Sequence, residues 1–161
     1  MQDTVVLPLS DLDREWARHL GVESWGAECV VSRFRLAYPH RLPGFVAWKQ
    51  DERVGLLTYH IEGRICEIVS LESLREGIGV GTALLDSACQ AAAEAGCHCL
   101  WLITTNDNLY ALRFYQRNGF RLTAVHPGAV DEARRLKPQI PLTGFDGIPI
   151  RDEIVLVRII S

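Results

Sequence analysis

The octapeptide Arg75-Glu76-Gly77-Ile78-Gly79-Val80-Gly81-Thr82 sets glycine at alternate positions between a run of strand character and a run of helical periodicity. Glycine takes positive φ without a Cβ penalty and lets a ligand come close to the main chain. The first turn of a helix leaves its N–H groups unpaired at the positive end of the dipole. A strand, a glycine-rich turn and a helix start in that order therefore read as an anion site suited to phosphate. Two common phosphate loops do not fit. No Gly-Lys-Ser/Thr ending is present for a P-loop, and Thr82 stands where the dinucleotide fingerprint places its third glycine. The bland alternative is a flexible turn with a tightly packed helix start.

Downstream, Val80, Ala83, Leu84, Ala88, Ala91 and Ala95 recur at helical spacing while Asp86, Gln90 and Glu94 line another face, and Gly96 supplies a stop. Residues 99–103 form a continuous apolar run, expected to be a strand covered on both faces. Upstream, residues 45–49, 54–61 and 64–71 read as a meander of antiparallel strands turning at 50–52 and at Glu62-Gly63. Further out, Ser10 or Asp11 caps a helix carrying Leu9, Leu12, Trp16 and Leu20, with Gly21 as its expected stop. Residues 28–38 read equally well as strand or helix. Asn106, Asp107 and Asn108 open a second helix that reaches Asn118 and stops at Gly119. Residues 120–125 and 153–160 read as the last strands, separated by a long Pro- and Gly-rich connection with a short helix over 129–136.

Two motifs now converge on one family. Residues 76–81 followed by Thr82-Ala83-Leu84-Leu85 resemble the acetyl-CoA pyrophosphate loop of the GNAT superfamily, Gln/Arg-x-x-Gly-x-Gly/Ala. The match departs at Glu76, where Gln or Arg is usual, and at Ile78, where a basic residue is common, although Arg75 lies one step away. Asn108, Ala111 and Tyr115, followed by Asn118-Gly119-Phe120, resemble the family's Asn-x-x-Ala-x-x-x-Tyr helix and its Gly-Phe exit. Asn108 and Tyr115 are seven residues apart, two turns at about 3.6 residues each, and so share a helix face. Taken singly, they also read as a capping Asn and a core Tyr. The resemblance covers roughly 45–120 and implies a GNAT-like α/β fold over 1–161, a mixed, largely antiparallel central sheet flanked by helices.

By that resemblance the protein is an N-acetyltransferase using acetyl-CoA as cosubstrate and no metal. The cosubstrate would be held by Leu71, Ser73, Glu76, Gly77, Ile78, Gly79, Val80, Gly81, Thr82, Asn108 and Tyr115. Asn108 would bond the pantetheine arm or phosphates, and Tyr115 would reach the thioester sulfur and protonate the departing thiolate. Cys66-Glu67-Ile68-Val69 is similar to the strand that carries the glutamate base of GNAT histone acetyltransferases, which gives Glu67 the base role. Strict alternation places Glu67 on one face with Ile65, Val69 and Leu71. Its structural alternative is an exposed residue or a partner of Arg64. A GNAT-like domain that binds acyl-CoA without turning it over is the competing function.

The acceptor, a small-molecule or protein amine, is left open. Asp146, Asp152 and Glu153 suit a cationic amine, while Arg134, Arg135 and Lys137 suit an acidic acceptor or a phosphate, and solvated surface charge explains both sets. A formal net charge of -3 with no basic block gives no electrostatic reason for nucleic-acid or anionic-membrane binding. The N-terminal residues lack the basic start and apolar core of a signal peptide, and no apolar run reaches membrane-spanning length, so a cytoplasmic location is expected. A homodimer is compatible with the family likeness. The five cysteines are an odd number set mostly in apolar segments and are expected to be reduced. Alternation puts Cys97 and Cys99 on one strand face and His98 on the other, which favours core packing over a metal site.

Overall fold

The structure, a computed structural model, describes residues 3–160. In chain order it comprises β1 (Val5–Pro8), α1 (Arg14–Trp25), β2 (Val30–Ser32), β3 (Arg35–Ala37), β4 (Gly44–Lys49), β5 (Glu52–Glu62) and β6 (Ile65–Ser73). These are followed by α2 (Val80–Glu94), β7 (Cys99–Thr105), α3 (Leu109–Arg117), β8 (Arg121–His126), α4 (Ala129–Leu136) and β9 (Glu153–Ile159). The main sheet has seven strands in the order β1-β4-β5-β6-β7-β9-β8, and β2 pairs with β3 in a separate hairpin. Every pairing in the main sheet is antiparallel except β6 with β7. The α/β class, the mixed sheet and the 45–71 meander match the sequence expectation.

The two sheet faces bury different helices. On one face Leu57, Cys66, Ile68, Leu100, Leu102 and Leu156 pack against Leu84, Leu85, Ala88 and Ala92 of α2. On the other, Ala17 and Leu20 of α1 pack on Leu9, Val46 and Leu56. Each such fully buried leucine contributes about 1.5–3 kcal/mol. Cys66 and Cys97 belong to the α2-side core, and burial pushes the Cys66 thiol up to about 12. Among the described residues no group of His, Cys, Asp and Glu is arranged to hold a metal. No helix is long and apolar enough to cross a membrane.

Two expectations are corrected and one open reading is resolved. Helix α1 starts at Arg14, after a 3-10 turn over Asp11–Asp13, and ends at Gly26, which takes the left-handed conformation. Gly21 lies inside the helix, where a Cβ would come within 2.7 Å of the Trp25 ring. Residues 30–37 form the β2–β3 hairpin. Glu67 and Leu71 do not share a face. In the β5–β6 ladder Thr58 opposes Ser70 and Tyr59 opposes Ile68, so Val69 is an extra, bulged residue. Upstream of it Cys66 and Ile68 face α2; downstream Leu71 does. Glu67, Ser70 and Glu72 thus share the α1 face, Ser70 bonding Thr58 at 2.6 Å across the ladder.

Candidate active site

Strands β6 and β7 pair only over Ile65–Glu67 and Cys99–Trp101, then diverge. The divergence leaves a cleft of about 220 Å³ lined by Trp25, Val69, Leu71, Glu72, Asn108 and Tyr115 among others. Beside it lies a groove of about 350 Å³ bounded by Leu71, Ser73, the glycine loop, Ala111, Phe114 and Tyr115. Leu71, Ala111 and Tyr115 line both spaces, which therefore adjoin. Val69 in turn lines both the cleft and a third cavity that contains Glu67. The bulge thus stands where a ligand lying along the glycine loop would meet one entering beside Glu67.

Glycine has a different use at each loop position. Gly77 and Gly79 have φ of 77° and 80°, and a Cβ on either would meet nothing within 4 Å, so main chain faces open groove there. Gly79 is the N-cap of α2, whose first N–H groups point at that space. Gly81 is helical, and its Cβ would come within 2.8 Å of the Phe114 ring, so it sets the approach of α3 to α2. Glu76, Val80 and Thr82 also line the groove, whereas Ile78 is exposed and outside the lining. Ser73 Oγ donates to the Arg75 carbonyl at 3.1 Å, and Arg75, which lines the groove, pairs with Glu52. Two further basic groups, Arg113 and Arg117, four apart on α3, border an adjoining recess with Thr82 and Tyr110. Sequence reading missed them, although their i, i+4 spacing on the motif helix was the available signal.

Asn108 caps α3, its Oδ1 accepting from Ala111 N–H at 3.0 Å. Its amide NH2 is left over for the cleft it lines, so the cap and the ligand contact coexist. Tyr115 is 9% exposed, with Phe114 and Phe120 packed edge-on at centroid distances of 5.2 and 5.4 Å. Burial first, and the Glu72 carboxylate second, hold its hydroxyl well above the ordinary tyrosine value, so it stays protonated at neutral pH. Glu67 is 6% exposed and accepts a hydrogen bond from Ser32 Oγ; the alternative of an exposed residue paired with Arg64 is not what the structure shows.

Glu72 was not singled out from the sequence. It lies in the cleft with Tyr115 and accepts from Trp25 Nε1 at 2.7 Å. Burial pushes its carboxyl up from the ordinary 4.5, with hydrogen bonds from Trp25 and Ser24 opposing. The folded chain therefore holds this proton more tightly than the unfolded chain. The stabilisation is full below the unfolded value and is lost as pH rises through the raised folded value. Glu72→Gln is expected to raise the midpoint of thermal unfolding modestly at neutral pH, with the gap closing below the ordinary carboxylate range. A shift of equal size at every pH in a melting series would assign the effect to packing instead.

The charged residues of the long connection are occupied structurally. Arg134 donates to the carbonyls of Ile140, Pro141 and Ile150, and Arg135 pairs with Glu132 at 3.2 Å. Lys137 is buried and Asp152 accepts from Gly128 N–H at 2.9 Å. Burial pushes the Glu153 carboxyl up. Asn106 binds the main chain of Pro149, Arg151 and Asp152, and buried Asp107 accepts from Thr105 Oγ1 at 2.5 Å and Phe145 N–H at 3.1 Å. Phe145 meets Tyr110 edge-on at 5.7 Å, so the connection braces the cosubstrate side of the site.

The profile of the Acetyltransferase (GNAT) family matches residues 9–120. The Bacillus subtilis protein YdhI is 40% identical over 158 residues, covering 98% of this chain and 99% of the relative. YxbD of the same organism is 40% identical over 154 residues, covering 95% and 97%. Among solved structures, an IAA acetyltransferase from Bacillus cereus aligns with a TM-score of 0.77 at 20% identity, covering 98% of this chain and 100% of that one. A GNAT family acetyltransferase from Elizabethkingia anophelis with acetyl-CoA bound aligns with a TM-score of 0.71 at 16% identity, covering 99% and 100%. These structural likenesses concern the fold.

Proposed function

Because the chain belongs to the GNAT acetyltransferase family, we propose that it transfers the acetyl group of acetyl-CoA to a primary amine by direct attack, with Glu67 as base and Tyr115 as acid. The observation that carries this reading is the adjacency of three spaces: the glycine-loop groove, the cleft at Tyr115, and the cavity at Glu67, with Leu71 lining the first two and Val69 the last two. Open main chain at Gly77 and Gly79, beside the start of α2, fits a pyrophosphate. Arg113 and Arg117 add positive charge for a further phosphate. Acetyl-CoA supplies the activated thioester.

The residues divide the proton work. An amine entering beside Glu67 arrives largely as ammonium, since its ordinary pKa is near 10.4 if lysine-like, and Glu67 takes the proton that frees the lone pair. Main chain of Leu71 to Ser73 orients the pantetheine arm and offers N–H groups where negative charge develops on the acyl oxygen. Tyr115 gives its proton to the departing thiolate. Calorimetric titration with CoA, together with thiol release from acetyl-CoA over an amine panel, tests the whole reading. CoA binding with no amine-dependent thiol release would instead favour a non-catalytic acyl-CoA-binding module.

Tyr115→Phe is expected to keep acetyl-CoA affinity, because the ring still packs between Phe114 and Phe120, and to lower kcat on the order of 100-fold. Steady-state kinetics with an accepted amine checks this; wild-type kcat would show that water protonates the thiolate.

A further inference from the structure

The cavity beside Glu67 encloses about 300 Å³ and carries charge of both signs. At its floor is the buried Glu67 carboxylate; Arg35 and Arg41, both exposed, stand at its mouth with Tyr38 and His60 between. We infer that this cavity is the acceptor subsite and that it selects a small amine bearing an acid group, the ammonium directed to Glu67 and the anion held by Arg35 and Arg41. The inference rests on the acetyltransferase reading.

Neither guanidinium is committed elsewhere. The Arg35 head group lies 3.9 Å from Glu62 in an exposed pair, which is worth little. Arg41 stacks over the Tyr38 ring at 4.4 Å and forms no ion pair among the described residues. A guanidinium fork matches carboxylate and phosphonate geometry bidentately, so both acid types suit it. A diamine would bring a second positive charge against the two guanidinium groups, and a plain alkylamine would leave both unused. The volume is at the lower end of small-molecule sites, roughly 300–1,000 Å³, which fits a single small metabolite.

The hairpin that forms this wall is held at a cost. Its turn residues Arg33 and Phe34 have φ of 47° and 64°, in a region where side chains are disfavoured. Such strain persists only where the surroundings over-determine it. Here the Ser32 hydroxyl bonds Glu67, and the Arg33 guanidinium lies 4.0 Å from the Trp101 ring centroid. The cavity wall is therefore pre-organised around the carboxylate.

The test measures thiol release from acetyl-CoA with short α- and ω-amino acids, their amides, aminoalkyl phosphonates and putrescine. The acids are expected to exceed their amides in kcat/KM on the order of 10- to 100-fold. Comparison of carboxylates with phosphonates tells which anion is preferred. In Arg35→Gln and Arg41→Gln the acid-over-amide preference should collapse through KM, with acetyl-CoA affinity confirming that each variant is folded. Amides or putrescine used as well as the acids would overturn the acceptor class and leave the acetyltransferase reading intact. If acetyl-CoA binds but no amine is turned over, the proposed activity fails. Calorimetric binding of the acids then decides the subsite: loss in Arg41→Gln supports it, and equal or absent binding in the wild type overturns it.

Discussion

Glu67→Gln lowers turnover at neutral pH on the order of 100- to 10,000-fold, the usual contribution of a positioned general base. The substitution keeps the volume of the side chain and an oxygen able to accept from Ser32, so the hairpin and the cavity stay in place. What is lost is the ability to take the ammonium proton. The deficit therefore shrinks as pH rises and more of the amine is neutral without help. Acetyl-CoA affinity is expected to hold, because Glu67 lines the cavity beside the β2–β3 hairpin and not the glycine-loop groove. Full activity with an unchanged pH profile would remove Glu67 from the base role. Glu72, the carboxylate that lies in the cleft with Tyr115, would then be the next residue to replace.

Gly79→Val is expected to take acetyl-CoA binding below calorimetric detection. Valine at a φ of 80° strains the backbone by about 1–2 kcal/mol, and its branched side chain enters the groove where main chain is now open. Gly81→Ala is the informative comparison, because its new methyl meets the Phe114 ring and not the groove floor. It should weaken binding far less, since the far edge of a side chain can shift. Circular dichroism would confirm the fold of both variants. Wild-type affinity in Gly79→Val would withdraw the glycine loop from the cosubstrate site.

Elements with a strong local signal were legible in the sequence: the α2 periodicity, the β4–β6 meander, the Asn108 cap and the short helix α4. Strand β1 was not, because four residues ending in Pro8 at a sheet edge carry little pattern of their own. The β2–β3 hairpin escaped because its turn uses Arg33 and Phe34 in left-handed conformations where Gly or Asn would have marked it. Gly21 misled because a helical glycine needed for ring packing looks like a stop. The site divided in the same way. Residues inside a motif could be named from the sequence, and of these Ile78 lies outside the groove; Glu72, Arg35 and Arg41 gain meaning only when β6, the hairpin and the cleft are assembled. The divergence of β6 from β7 has no local signature at all, since it depends on a pairing between strands separated by α2.

The extra residue at Val69 acts on β6 as a phase shift acts on a wave. Upstream, the odd-numbered Glu67 addresses the cavity beside the hairpin; downstream, the odd-numbered Leu71 addresses the glycine-loop groove on the opposite face. One strand thereby serves two chemically different clients, and each half can vary by point substitution with little cross-talk to the other. Deletion of a single residue there would be another matter, because restoring regular alternation would exchange the faces of everything after it. Libraries aimed at this strand should therefore hold its length fixed and, to alter the cavity beside Glu67, vary only residues before the shift.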